Sequence, residues 1–233
     1  MSKYDLKNNS RALWICGIIG CLLFGTGDWL LGFTDPGIVS EKFSVIKAGN
    51  GADYDLARIV WTLTLGTAGM FFLIPGFRAQ ADILRDEKRK PLFRFLMTLC
   101  TVSWIVIHTT VSAGIYVYSW CMHRGDSELA QALTLDVMAL FQPMQIIAYI
   151  FLAVPLIVQI ADIVRGKTVC GKTAVLFSPL VWMAVFAGTA KILPPSPFAN
   201  GLDTFCMNGG MTVWLLYLCI CASGKIGKQG EEL

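Results

Sequence analysis

Six apolar stretches run through this chain at 12–33, 56–74, 92–120, 137–160, 173–193 and 205–221. Each reaches or approaches the roughly 20 residues that an α-helix needs to cross about 30 Å of hydrocarbon. A soluble domain must meet water over its whole surface and carries about 25% charged residues. Here charged residues make up 15% of the chain and apolar residues 55%. The charges that exist cluster between the stretches. The expectation is an all-α fold, a polytopic membrane bundle of about six transmembrane helices. It forms a single transmembrane domain over residues 1–233, with the lipid bilayer as its first partner. The first stretch also carries marks of a cleaved signal peptide, with basic flanks and the small-residue triplet Gly25-Thr26-Gly27. It continues through Trp29 to Phe33, which is long for such a leader, and is read as a true span.

Lysine and arginine set the orientation, because cytoplasmic loops are enriched in them. One set of segments holds Lys3, Lys7 and Arg11, then the loop 78–94 with Arg78, Arg85, Lys88, Arg89, Lys90 and Arg94. It continues with Arg165, Lys167, Lys172, Lys225 and Lys228. The alternate segments hold only Lys42, Lys47, Arg58, Arg124 and Lys191. With an even number of spans, both termini are expected in the cytoplasm of a cell-membrane protein, and 34–55 becomes the longest external connection. A net charge of +3 with no basic stripe gives no reason to expect a nucleic-acid partner.

Most of the eight cysteines sit in apolar helices, where cysteine behaves as a small hydrophobe. No C-x-x-C pair exists and the two histidines lack metal-ligand spacing with the cysteines, so no metal or other cofactor is expected. Cys121 and Cys206 both fall near the outer face, which leaves a disulfide between them open.

Two internal echoes stand out. Pro75 is followed by Ala81-Asp82-Ile83-Leu84-Arg85, and Pro155 at the same offsets by Ala161-Asp162-Ile163-Val164-Arg165. Both helices then leave the membrane on one side, through a duplicated hairpin or through convergence on a common ending. Gly25-Thr26-Gly27-Asp28 also resembles Gly188-Thr189-Ala190-Lys191. Small residues let helices approach closely, so both ends are expected to be packed.

Ionisable groups inside spans are costly and usually face protein or a water-filled cavity. Asp28 lies about 25 Å beyond Arg11 and His108 about 21 Å beyond Arg94, at 1.5 Å per residue. Arg58, Asp136, Lys191 and Asn208 also fall in outer halves. The inner halves look dry as far as Asp82 and Asp162. At about 100° per residue Asp28 shares a face with Gly17, Cys21 and Gly32, and Arg58 shares one with Thr62, Gly69 and Gly76. His108 lies on a stripe with Thr101, Trp104, Ser112 and Ser119, and Lys191 follows Ala184, Ala187 and Gly188. The expected site is an outward-facing polar pocket drawn from Asp28, Arg58, His108, Ser112, Lys191 and Asn208.

Each group also has a structural reading. Asp55, Asp136 and Asp203 precede apolar spans as N-caps. Asp28 pairs with Arg58 or Lys191, and Gln142 and Gln145 repair the break at Pro143. Trp29, Phe33, Tyr116, Tyr118 and Trp120 form an interfacial belt. The glycines of Asn208-Gly209-Gly210 admit a neighbouring helix or a ligand. For function, a small-molecule binding or transport protein is favoured. The alternatives are an intramembrane enzyme acting on a lipid or peptide through His108 and Ser112, and a non-catalytic accessory or sensor protein. No G-x-S-x-G or H-E-x-x-H signature accompanies the enzyme reading. Homo- or hetero-oligomeric assembly stays open.

Overall fold

A computed structural model of the protein describes residues 8–34 and 54–222. The terminal lysines Lys3, Lys7, Lys225 and Lys228 lie outside the described residues, as do 35–53 of the long connection. The described residues form six α-helices: α1 Asn8–Gly32, α2 Leu56–Arg78, α3 Lys90–Met122, α4 Ser127–Val164, α5 Pro179–Ile192 and α6 Pro197–Ala222. Five of them, all but α5, are long and apolar enough to cross a bilayer. Their surfaces agree, since Leu140 is 75% exposed and Phe71 67% exposed.

Local chemistry sets the helix ends. Asp55 caps α2, its side chain accepting from the Arg58 amide at 2.6 Å. Asp126 caps α4 by accepting from the Leu129 amide at 2.9 Å, and Ser196 Oγ accepts from the Ala199 amide at 3.2 Å at the start of α6. Asp136 and Asp203 therefore lie inside α4 and α6 rather than capping them. These helices begin a few turns before their apolar runs, because good caps and polar first turns extend the helix beyond what hydropathy marks. The α3–α4 turn is tightened by Gly125, whose φ of +79° suits glycine.

The fifth apolar run is not one 20-residue helix. Ser178 and Leu193 are extended (ψ 151° and 149°), as residues before proline are pushed to be. Pro179 and Pro194 thus cut the run to the 14 residues of α5, preceded by a 3-10 segment over Lys172–Phe177.

The helices pack in the order α4, α3, α2, α1, α6, α5. The closest pair is α1 with α2. A Cβ on Gly20 would stand 2.7 Å from the Leu73 amide nitrogen and 2.9 Å from the Gly69 carbonyl, and one on Gly76 would overlap the Gly17 backbone. Backbones come this near only where side chains are missing. On α6, Gly209 and Gly210 receive Phe186 and the Pro179 carbonyl with Met183, so both admit α5. Gly25 is wedged against Phe205 and Asn208, whereas a Cβ on Gly188 would meet nothing within 4 Å. The Gly25 and Gly188 ends therefore differ, because α5 packs on α6 through another face and leaves its Lys191 end open.

The two proline echoes meet at the basic end of the bundle. Asp82 takes Arg94 at 2.9 Å and Ser10 at 2.7 Å, and Asp162 takes Arg89 at 2.8 Å. Leu84 and Thr168 form an isolated antiparallel bridge between the segments that follow. The hairpins themselves are unlike, since α3 runs 33 residues and α5 only 14.

The basic half of the bundle holds a buried network of neutral polar side chains. Gln80 Oε1 accepts from Trp214 Nε1 at 2.8 Å and from Gln159 Nε2 at 2.9 Å, and all three residues are fully buried. Neutral amides in an apolar run barely lower hydropathy, so this network is invisible to a search for charge. Cys121 and Cys206 are both thiols, as are the other cysteines. Cys121 stands about 20 Å beyond the level of His108 on α3, while Cys206 lies beside the Asn208 level, too far apart to bridge.

Candidate functional site

Four helices converge on Asp28, near the end of α1. Its Oδ1 accepts from His108 Nδ1 of α3 at 2.7 Å, and its Oδ2 accepts from Asn208 Nδ2 of α6 at 2.6 Å. The second ring nitrogen of His108 lies 3.2 Å from the Thr62 carbonyl of α2. Both nitrogens thus face oxygen acceptors, and the ring satisfies both when each carries a hydrogen. The Phe24 ring packs on the imidazole at 4.5 Å. The His108 side chain is 4% exposed and that of Asp28 17%, so the pair is buried on one side and open on the other.

Sequence chemistry makes room for this pair. Gly66 lies under the imidazole, and a Cβ there would overlap Nε2 and come within 2.7 Å of Cδ2. Gly27 lets the Thr62 carbonyl approach α1, where a Cβ would stand 2.9 Å away. The variant Gly66→Ala is therefore expected to push His108 from Asp28. A destabilisation of about 1–3 kcal/mol should follow in thermal unfolding, the usual cost of overpacking.

The open side faces a cavity of about 80 Å³ lined by Phe24, Asp28, Trp104, His108, Tyr149, Thr204 and Met207, with Leu31, Ile107, Val111 and Ile115. Trp104 is 2% exposed, and its indole N–H has no acceptor among the described residues. Asn208 Oδ1 is likewise buried without a partner. No group of three or more metal-ligating side chains occurs among the described residues.

Of the six residues expected in the pocket, the structure brings Asp28, His108 and Asn208 together. Ser112 is buried one turn from His108, and its hydroxyl donates to the His108 backbone carbonyl at 2.7 Å rather than to the imidazole. Arg58 caps the end of α1, with Nε on the Leu30 carbonyl at 2.6 Å and a terminal nitrogen on the Phe33 carbonyl at 2.7 Å. A cation there suits the negative end of the helix. Lys191 is exposed at the end of α5 and makes no ion pair among the described residues. Gln145 does not mend the Pro143 break; it donates to Thr110 Oγ1 at 2.9 Å and ties α4 to α3.

Thr62, Gly66, Trp104, Tyr149 and Thr204 join the site without having been singled out as pocket residues. Thr62 and Trp104 were legible as face companions of Arg58 and His108. Tyr149 and Thr204 gave no signal, because both are ordinary residues of apolar helices.

The chain's match to a family covers residues 5–225. It belongs to a family of unknown function, DUF6796. Comparison with curated proteins and with solved structures returns no match. The family brings no activity with it, so any functional reading rests on the site.

Proposed function

We propose that this is a small-molecule binding or transport protein of the cell membrane, whose ligand docks in the cavity beside Asp28 and His108. The observation that carries the reading is a buried polar cluster drawn from four helices that opens onto a cavity, with Trp104, whose indole N–H has no acceptor among the described residues, as one of its lining residues. Intramembrane ionisable groups are retained where they serve a pathway or a ligand. An aromatic wall with a few polar groups is the usual form of a small-molecule site.

In this reading the chain crosses the membrane six times, with the basic end and both termini cytoplasmic. The sixth crossing would be made by α5, which rises about 21 Å, together with the 3-10 segment that precedes it. Paired Asp82–Arg94 and Asp162–Arg89 then lie at the cytoplasmic surface, and the cavity lies toward the outside. The enzyme reading loses its nucleophile, because the Ser112 hydroxyl is committed to the His108 carbonyl. No observation favours the accessory or sensor reading over a binding site.

Thermal unfolding of the purified protein against a panel of soluble metabolites and of lipids tests the proposal. A ligand at about 100 times its Kd adds about 2.7 kcal/mol, which moves the melting temperature of a chain this size by several degrees. The shift is expected to vanish in Trp104→Phe. A panel with no shifting member, or a shift that survives in that variant, counts against the site.

A further inference from the structure

Resting on that reading and deepening it, we propose that the ligand is an uncharged amphiphile of the bilayer, whose small oxygen-bearing head enters the cavity sideways between α4 and α6. Size gives the first argument. An apolar cavity of about 150 Å³ takes up a single benzene. At about 80 Å³ this one holds a head of a few heavy atoms, and the rest of the molecule must lie outside.

The way out is written in the packing. Neighbouring helices in the bundle lie against each other, but α4 and α6 make no extended contact among the described residues. Tyr149 of α4 and Thr204 and Met207 of α6 line the cavity from its two sides, and all three are only half-buried. Toward the basic end the same gap is covered by the segment after α4, where Val169 and Val175 pack on the core and Phe177 stacks on Tyr217 at 4.6 Å. Thr204 and Met207 sit about 10 and 15 Å down α6 from Pro197, at the point where its apolar run begins. The outer surface beside the gap is apolar, with Ile146 and Ile150 of α4 exposed. A tail leaving there meets lipid.

The chemistry of the head follows from what the cavity still needs. Asp28 and His108 are engaged with each other, and both carboxylate oxygens already hold donors. A charged head would lose its hydration with nothing left to pair it. Trp104 lines the cavity and its buried indole N–H lacks an acceptor among the described residues, so a head bearing a hydroxyl or carbonyl oxygen that reaches it on a small shift of the ring is the complementary group.

The test uses the full chain in phosphatidylcholine vesicles carrying a long-chain fatty alcohol with a diazirine near its hydroxyl. After illumination, peptide mapping is expected to find adducts in the cavity, at Trp104, Tyr149 or Met207, as well as on the lipid-facing Leu140 and Ile147. In Met207→Trp, which fills the gap, the cavity adducts should be lost while those on Leu140 and Ile147 persist, an internal control for folding and insertion. A diazirine alkane without the hydroxyl should label the lipid face alone. Cavity labelling that is absent in the wild type, undiminished in Met207→Trp, or equal with the alkane overturns the proposal. If labelling is absent while a soluble metabolite shifts the melting temperature, the binding site stands and only the ligand class and route fall.

Discussion

Replacing Asp28 by alanine should destabilise the protein by about 3–5 kcal/mol, the cost of breaking a buried pair and leaving its partner uncompensated. The carboxylate holds two donors from two other helices, His108 Nδ1 and Asn208 Nδ2, and alanine strands both. Replacing both members of the pair with leucine is expected to recover much of that loss, since an apolar pair of similar volume needs no partner. Thermal unfolding of wild type, Asp28→Leu, His108→Leu and the double leucine variant gives the coupling directly. Additive losses would mean that the pair does not interact as described.

The second large effect is expected at the other end of the bundle. Gln80→Leu removes the acceptor shared by Trp214 Nε1 and Gln159 Nε2, both within fully buried residues. Each stranded donor costs about 1–3 kcal/mol, so a loss of about 2–6 kcal/mol is expected in the same measurement. Gln159 Oε1 has no partner among the described residues and gains none from the change. A leucine variant as stable as the wild type would show that the network does not bind the segment after α2 to α4 and α6.

These two clusters also mark what could be read from the sequence. Helix faces were legible: Thr101, Trp104, His108, Ser112 and Ser119 share a stripe of α3, and all are buried. Thr62, Gly69 and Gly76 do the same on α2. Periodicity reports which face turns inward, because burial is a local property of a helix. It does not report which residue stands opposite. Asp28 meets His108 across 80 residues, and neither Arg58 nor Lys191, equally charged and at a similar level, reaches it in the same way. Arg58 is claimed by the carbonyls that end α1, and Lys191 sits on a helix shortened by its flanking prolines.

The neutral polar residues of the inner half escaped notice for a related reason. A search for charge passes over Gln80 and Gln159, although each lies within three residues of an echoed aspartate, at Asp82 and Asp162. The echo itself held a real constraint, since Asp162 takes Arg89 from the connection between α2 and α3 and Asp82 takes Arg94 near the start of α3. What it did not convey was the length of the helix that follows, where Pro179 and Pro194 cut α5 short.

Burial of a paired aspartate and histidine serves stability in many folds, and the account here assigns it to a ligand as well. The most direct measurement compares the largest panel-induced melting shift of the wild type with that of the Asp28→Leu, His108→Leu double variant. The expected result is a double variant more stable than Asp28→Ala that no longer responds to the ligand. A double variant that keeps the full ligand-induced shift would contradict it.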